Sequence, residues 1–184
     1  MQVFAERGYR DASMDEIVGR AGYSKGALYW HFSSKDDLFF ALLEERVIPI
    51  WQEGIELLES AAADEDMAPE ASERFVELLR GQRELLLVER EIWSLAVRDS
   101  KLRARYNKRR RELRTALGRA IAVRLEHLGA PPLERDAQDL ATAFIALSTG
   151  LTQEKMVDPK AVPDDLLGDV FALIYAGHVA RTPA

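Results

Sequence analysis

The chain is predicted to be all-α, and three observations carry that expectation. Apolar residues recur at spacings of three and four along most of its length, the period of a helix with one buried face. No stretch alternates apolar and polar residues as a half-buried strand does. Helix boundary signals, serine before and glycine or proline after, punctuate the 184 residues at helical intervals. A content of 47% hydrophobic and 30% charged residues suits a packed globular chain and argues against disorder.

The first element covers Met1 to Arg7, with Val3 and Phe4 facing the core and Gly8 supplying the stop. It reads as the last two turns of a longer helix whose opening turns are missing. Ser13 is the next N-cap, with Glu16 three residues on completing a capping box. The helix that follows places Met14, Ile17, Val18 and Ala21 on one face. Gly22 permits a sharp turn, and Ser24 caps a second short helix in which Leu28 and Phe32 form the buried pair. Ser33 or Ser34 ends that helix and opens the next at Lys35. Two short helices joined by a tight turn, Ser13 to Lys35, are the layout of a helix-turn-helix DNA reader.

From Lys35 the periodic residues are Leu38, Phe39, Leu42, Leu43 and Val47, with a kink or break expected at Pro49. The pattern resumes from Ile50 to about Ala63. After a loop from Asp64 to Ala68, Pro69 opens a helical stretch to Asp99, with Gly81 the expected break. Its second half is apolar around much of its circumference, which predicts a centrally buried helix. A long basic helix follows from Ser100 to Leu128, stopped by Gly129 and Pro131-Pro132. Its arginines fall on every side, so a solvated, internally paired face is preferred to a second nucleic-acid surface. The last two helices span about Glu134 to Val157 and Pro163 to Val179. Leu140, Phe144, Leu147 and Leu151 on the first, and Leu167, Val170, Phe171 and Ile174 on the second, form faces suited to a partner helix. A two-fold homodimer built on them is expected, with ordinary core packing the alternative.

Charge and composition narrow the classes further. The net charge is −6, and residues 1–44 hold seven acidic residues against five lysines and arginines. Phosphate contacts must therefore come from local placement. The absence of cysteine excludes a disulfide framework and a thiolate metal site and fits a cytoplasmic protein. No apolar run is long enough to span a membrane, and MQVFAERGYR lacks the pattern of a signal peptide. His31, His127 and His178 have no second ligand at helical spacing, so no metal is expected. No phosphate loop, nucleophile elbow or nucleophile–base pair is present, so neither a catalytic site nor a cofactor is expected.

The string FAERGYRDASMDEIVGRAGYSKGALYWHFSSKDDLFFALLEE, Phe4 to Glu45, closely resembles the TetR family of bacterial regulators. The resemblance covers about a quarter of the chain, and the Trp30-His31 pair looks like the multidrug-efflux repressor branch. It implies a DNA-binding domain over residues 1–45 and a helical effector-binding and dimerisation domain over residues 46–184. It maps Ser24, Lys25, Ala27, Tyr29, Trp30 and His31 onto the DNA face, joined by Ser13 and Lys35 at neighbouring helix starts. For Trp30, packing at a domain junction is an equal alternative. The effector pocket is expected among the central helices, with walls from Trp51, Phe75, Leu79, Ile92, Trp93, Tyr106 and Phe144, and with Glu89 a candidate partner for a cation. Ordinary core packing is the alternative for each.

The expected function is that of a homodimeric transcriptional repressor that binds a double-stranded DNA operator and is released by a small molecule. The rival is a helical bundle that binds a small molecule or a protein and has lost DNA binding. A helical enzyme ranks last.

Overall fold

The computed structural model describes residues 2–62, 65–130 and 137–180. The fold is all-α, and the described elements are α1 (Gln2–Asp11), α2 (Met14–Ala21), α3 (Lys25–His31), α4 (Lys35–Arg46), α5 (Ile48–Ser60), α6 (Ala68–Ala96), α7 (Ser100–His127), α8 (Ala137–Val157) and α9 (Leu166–Val179). Asp64, Pro131, Pro132 and Glu134, read above as loop, stop and helix start, lie outside the described residues.

Serine caps set the boundaries of the N-terminal helices. Ser13, Ser24 and Ser34 each sit in extended backbone and accept the amide three residues on, from Glu16, Ala27 and Asp37 at 3.1, 3.2 and 3.1 Å. Each bond satisfies one of the amides that a helix start leaves without an intrahelical partner. Gly22 follows α2 in left-handed backbone (φ 70°, ψ 16°), as its turn requires.

Gly8 interrupts α1 with φ 74° and ψ 174°, a conformation closed to residues with a side chain. The chain resumes helical form as far as Asp11 rather than stopping at Gly8. The reason is distant in sequence. Glu91 accepts the Tyr9 amide at 2.5 Å and the Arg10 amide at 2.9 Å, taking up donors that the interruption leaves free.

The other breaks shift by a residue or two. The step between α4 and α5 falls at Val47, and Pro49 sits in the first turn of α5, where its missing N–H costs nothing. In α6 the non-helical residue is Gln82 (φ −127°), next to the expected Gly81.

Packing divides the chain into two compact units, residues 1–49 with 80–108 and residues 50–79 with 109–184. This division cuts α6 between Leu79 and Arg80 and α7 between Lys108 and Arg109. We call them the reader unit and the cavity unit.

The core of the reader unit is aromatic. Phe4 stacks on Tyr9 at 6.0 Å, and Phe39 meets both edge-on at 5.9 and 5.7 Å. The Tyr9 hydroxyl donates to Asp36, and burial together with that carboxylate pushes its pKa up. Leu85, Val88, Ile92 and Ala96 of α6 are buried. The expected all-round burial of this half-helix is not found, because Leu87, Trp93 and Val97 are exposed on its other side. Arg90 covers part of that surface, its guanidinium 4.4 Å from the Trp93 ring centre.

The cavity unit is built around Ile55, Leu117, Ala120, Ile121, Leu125, Ala141, Phe144 and Ile145. Among the described residues, no helix is long and apolar enough to cross a membrane.

Candidate DNA-reading face and apolar cavity

Helix α3 has no buried residue. Even Leu28 and Phe32, its expected inward pair, are only half-buried, so the helix is held by its ends and one shallow edge. Ser24, Lys25, Ala27, Tyr29, Trp30 and His31 are all exposed, Tyr29 at 48% and Trp30 at 81%. His31 stands edge-on to Trp30 at 4.6 Å. A bulky ring left in water at this level is not core packing. Tyr23, exposed in the turn before Ser24, adds a fourth ring that is absent from the residues expected on this face. Its signal was size, since a tight turn gains nothing from a tyrosine. Ala21, expected on the inner face of α2, is exposed beside it.

The charges around this face are largely balanced. Lys25 bonds Asp15 at 2.7 Å, Arg20 grips Glu6 through both guanidinium nitrogens at 2.5 and 2.6 Å, and Arg7 reaches Glu16 at 3.3 Å. The Arg20 hydrogen bond holds the Glu6 carboxyl below its usual range, and Asp15 raises the Lys25 pKa. Exposed pairs of this kind contribute little to stability and exchange readily for other partners.

Lys35 is placed differently from the expectation. Its ammonium donates to the carbonyls of Arg10 and Ala12 at 2.9 and 2.8 Å and lies 4.8 Å from the centre of the Tyr9 ring. It closes the end of α1, and partial burial lowers its pKa.

In the cavity unit, α5, the start of α6, α7, α8 and α9 line a cavity of about 380 Å³ that is partly open to solvent. Of the expected wall residues, Trp51, Phe75 and Phe144 line it. Leu79 is buried elsewhere in this unit, and Glu89, Ile92, Trp93 and Tyr106 belong to the reader unit, where the Tyr106 hydroxyl donates to Glu89 at 3.3 Å. The lining that sequence reading missed includes Ile55, Leu78, Phe171, Tyr175 and Arg124.

The polar groups of the lining follow a pattern. Arg124 is 4% exposed, and its guanidinium donates to the carbonyls of Ala61 at 2.9 Å, Ala62, and Glu65 at 2.6 Å, beyond the C-terminal end of α5. A cation there complements the negative end of the helix dipole. Arg74 is paired with Glu53 and with Glu70 at 2.9 Å. The Glu65 carboxylate accepts the Ala62 amide at 3.2 Å, and that of Asp66 accepts the Ala68 amide at 3.0 Å. The Tyr175 hydroxyl, by contrast, is buried with no hydrogen-bond partner among the described residues.

The eight residues expected at a dimer interface divide. Phe144 is 2% exposed and Leu167 4%, both enclosed by their own subunit, and Leu140, Phe171 and Ile174 also pack on its core. Leu147, Leu151 and Val170 are half-buried. On α9, Leu173 is 71% exposed beside exposed Ala172, Ala176 and Gly177, and on α8 Ala143, Ala146 and Gly150 are exposed. Five of the eight thus pack against this chain's own core, and the remaining three are half-buried.

A capped pair of short helices, the second presented to solvent along its length, defines a helix-turn-helix protein. Residues 1–42 match the family described as bacterial regulatory proteins, tetR family, and residues 65–172 match the BetI-type transcriptional repressor, C-terminal. The chain belongs to the TetR family of bacterial regulators.

The HTH-type transcriptional activator FasR of Mycolicibacterium smegmatis is 56% identical over 46 residues, which are 25% of this chain and 21% of that protein. The HTH-type transcriptional regulator TtgR of Pseudomonas putida is 27% identical over 183 residues, covering 96% of this chain and 84% of that one. The crystal structure of the transcriptional regulator FadR from Bacillus subtilis with stearoyl-CoA superposes with a TM-score of 0.71. It is 20% identical and covers 99% of this chain and 95% of that one.

Proposed function

We propose that this chain is a dimeric transcriptional repressor that reads an operator with α3 and leaves it when a small molecule fills the cavity. One observation carries the reading: α3 buries no residue and displays Tyr29, Trp30 and His31 where a core helix would hide them. The Ser24 end offers amides to a phosphate, Lys25 reaches a phosphate or a guanine edge, and the Ala27 methyl meets a thymine methyl. Ser13 and the start of α2 clamp a second phosphate. Lys35, engaged on carbonyls, leaves the set of direct contacts and becomes a support for α1. Dimerisation through α8 and α9 brings two readers to a near-palindromic site, with Leu173, Leu147 and the exposed alanines at the contact. The protein acts in the cytoplasm, and no catalytic step is assigned to it.

Effector release follows from linkage: a molecule that favours one arrangement of the readers and an operator that favours another weaken each other's binding by the same factor. In FadR the molecule seen is stearoyl-CoA, and here the cavity of about 380 Å³ is the corresponding candidate.

The test is fluorescence anisotropy on a duplex selected by the protein from random sequence. Tyr29→Ala is expected to weaken binding by about tenfold or more, the effect of losing one good contact, with the dimer intact by light scattering. Affinity is also expected to fall with added salt as phosphate contacts form. Unchanged affinity in the variant overturns the assignment of α3. Failure to select or bind any duplex favours instead a bundle without DNA function, the reading suggested by the balanced charges around α3.

A further inference from the structure

We propose that the effector is a hydrophobic weak acid: an apolar body with one acidic oxygen head, a carboxylate or a phenolate, whose oxygen accepts from the Tyr175 hydroxyl within the field of Arg124. The proposal rests on the reading of this cavity as the effector site and adds the chemistry of its occupant.

The body of the ligand follows from the wall. Trp51, Ile55, Phe75, Leu78, Phe144 and Phe171 offer rings and branched aliphatic groups, and Phe144 and Phe171 lie 4.1 Å apart between ring centres. Such a wall rewards apolar surface on the body of the ligand. The volume falls within the range of pockets that take drug-sized molecules.

The head follows from which polar groups are engaged. Of the carboxylates in the lining, Glu70 is paired with Arg74, while Glu65 and Asp66 each accept one backbone amide and keep their charge. Glu65 and Asp66 are also exposed, so water screens them. The Tyr175 hydroxyl is the opposite case, enclosed and without a partner among the described residues. The tyrosine lines the cavity while its hydroxyl is covered, so a turn of the ring toward the cavity would reward a ligand that brings the missing acceptor.

Arg124 decides the sign. It is buried, its described hydrogen-bond partners are neutral carbonyls, and it lines the same cavity. Its charge reaches the tyrosine, opposing the upward shift that burial gives the Tyr175 pKa. A buried cation whose bonds run to dipoles favours an anionic oxygen nearby over a second cation.

The experiment uses the full chain and two series of probes, one with a decyl and one with a 2-naphthylmethyl tail, each ending in carboxylate, hydroxyl or trimethylammonium. Binding is read by calorimetry and by the fluorescence of the protein's tryptophans. In at least one series the carboxylate is expected to bind tightest and the trimethylammonium weakest. Tyr175→Phe is expected to weaken the carboxylate about tenfold or more, as for a lost hydrogen bond to a charged group. It should leave the thermal transition near that of the parent, because it removes a hydroxyl with no partner.

An ammonium probe that matches or beats the acid in both series overturns the proposal. So does failure of every carboxylate to bind, or full acid affinity in Tyr175→Phe. The wild-type comparison stands whatever the variant does. An acid that binds through Tyr175 without weakening operator binding would uphold the ligand class and overturn the effector reading. A cationic amphiphile that releases the operator would do the reverse.

Discussion

Replacing Gly168 by alanine is expected to destabilise the cavity unit by about 3 kcal/mol, the upper end of what overpacking costs. Gly168 is buried near the start of α9 against the first turn of α6. A methyl group placed on it would meet the carbonyl oxygen of Ala68 and the hydroxyl of Ser72, with the Ala68 carbonyl carbon 2.7 Å away. A side chain can rotate out of such a clash, but the Ala68 backbone cannot. Relief therefore requires the two helices to part. Parting them also breaks a two-way link, in which the Ser72 hydroxyl donates to the Asp165 carbonyl at 3.0 Å and accepts the Gly168 amide at 3.2 Å. A chain of this size should melt about 6–12 °C lower. Gly54→Ala is the control: among the described residues nothing lies within 4 Å of the added methyl, and the change is expected to be neutral or stabilising by about 0.5 kcal/mol. If the two variants melt together, α9 does not rest on α6 as described.

The second large effect is expected at Glu91. Its carboxylate holds the two amides that Gly8 leaves outside the run of helical bonds. Hydrogen bonds to a charged acceptor contribute about 1.5–3 kcal/mol each when well enclosed. One of these is exposed, so about 2–3 kcal/mol for Glu91→Ala is the discounted figure. Glu91→Gln keeps an acceptor for one of the two amides but turns a donor toward the other, so it should recover only a part of the loss. The functional consequence is sharper, because Tyr9 and Arg10 lie just before the Ser13 cap. Operator affinity measured well below the melting transition should fall in Glu91→Ala and recover partly in Glu91→Gln. Parental stability and affinity in Glu91→Ala would remove the residue from the reader's support.

These two residues also mark the limit of what could be read from the sequence. Boundaries set by neighbours were legible: Ser13, Ser24 and Ser34 cap because an amide three residues on is always in reach. Gly8 was legible as an interruption, but not the resumption after it, which depends on a carboxylate more than 80 residues away. The cavity shows the same division. Trp51, Phe75 and Phe144 stood out as large rings on amphipathic helices. Tyr175 and Arg124 did not, because periodicity assigns a face to a helix without saying which neighbour that face meets. Glu89, Ile92, Trp93 and Tyr106 fall outside this cavity for a related reason. α6 and α7 each serve both units, and their hydrophobic rhythm continues across the points where they change partners.

The paired charges around α3 bear on how such a regulator would find its site. With Arg7, Arg20 and Lys25 each facing a carboxylate, and Lys35 bound to carbonyls, the reader presents little net positive charge to an arbitrary duplex. Weak general attraction means that fewer molecules are held on the roughly 10⁶–10⁹ competing positions of a genome. At an operator, neutral donors and aromatic contacts must then supply more of the affinity than counterion release does. A small cellular pool of such a protein would stay largely unbound until it met the right sequence, so few copies would be enough to keep one promoter occupied.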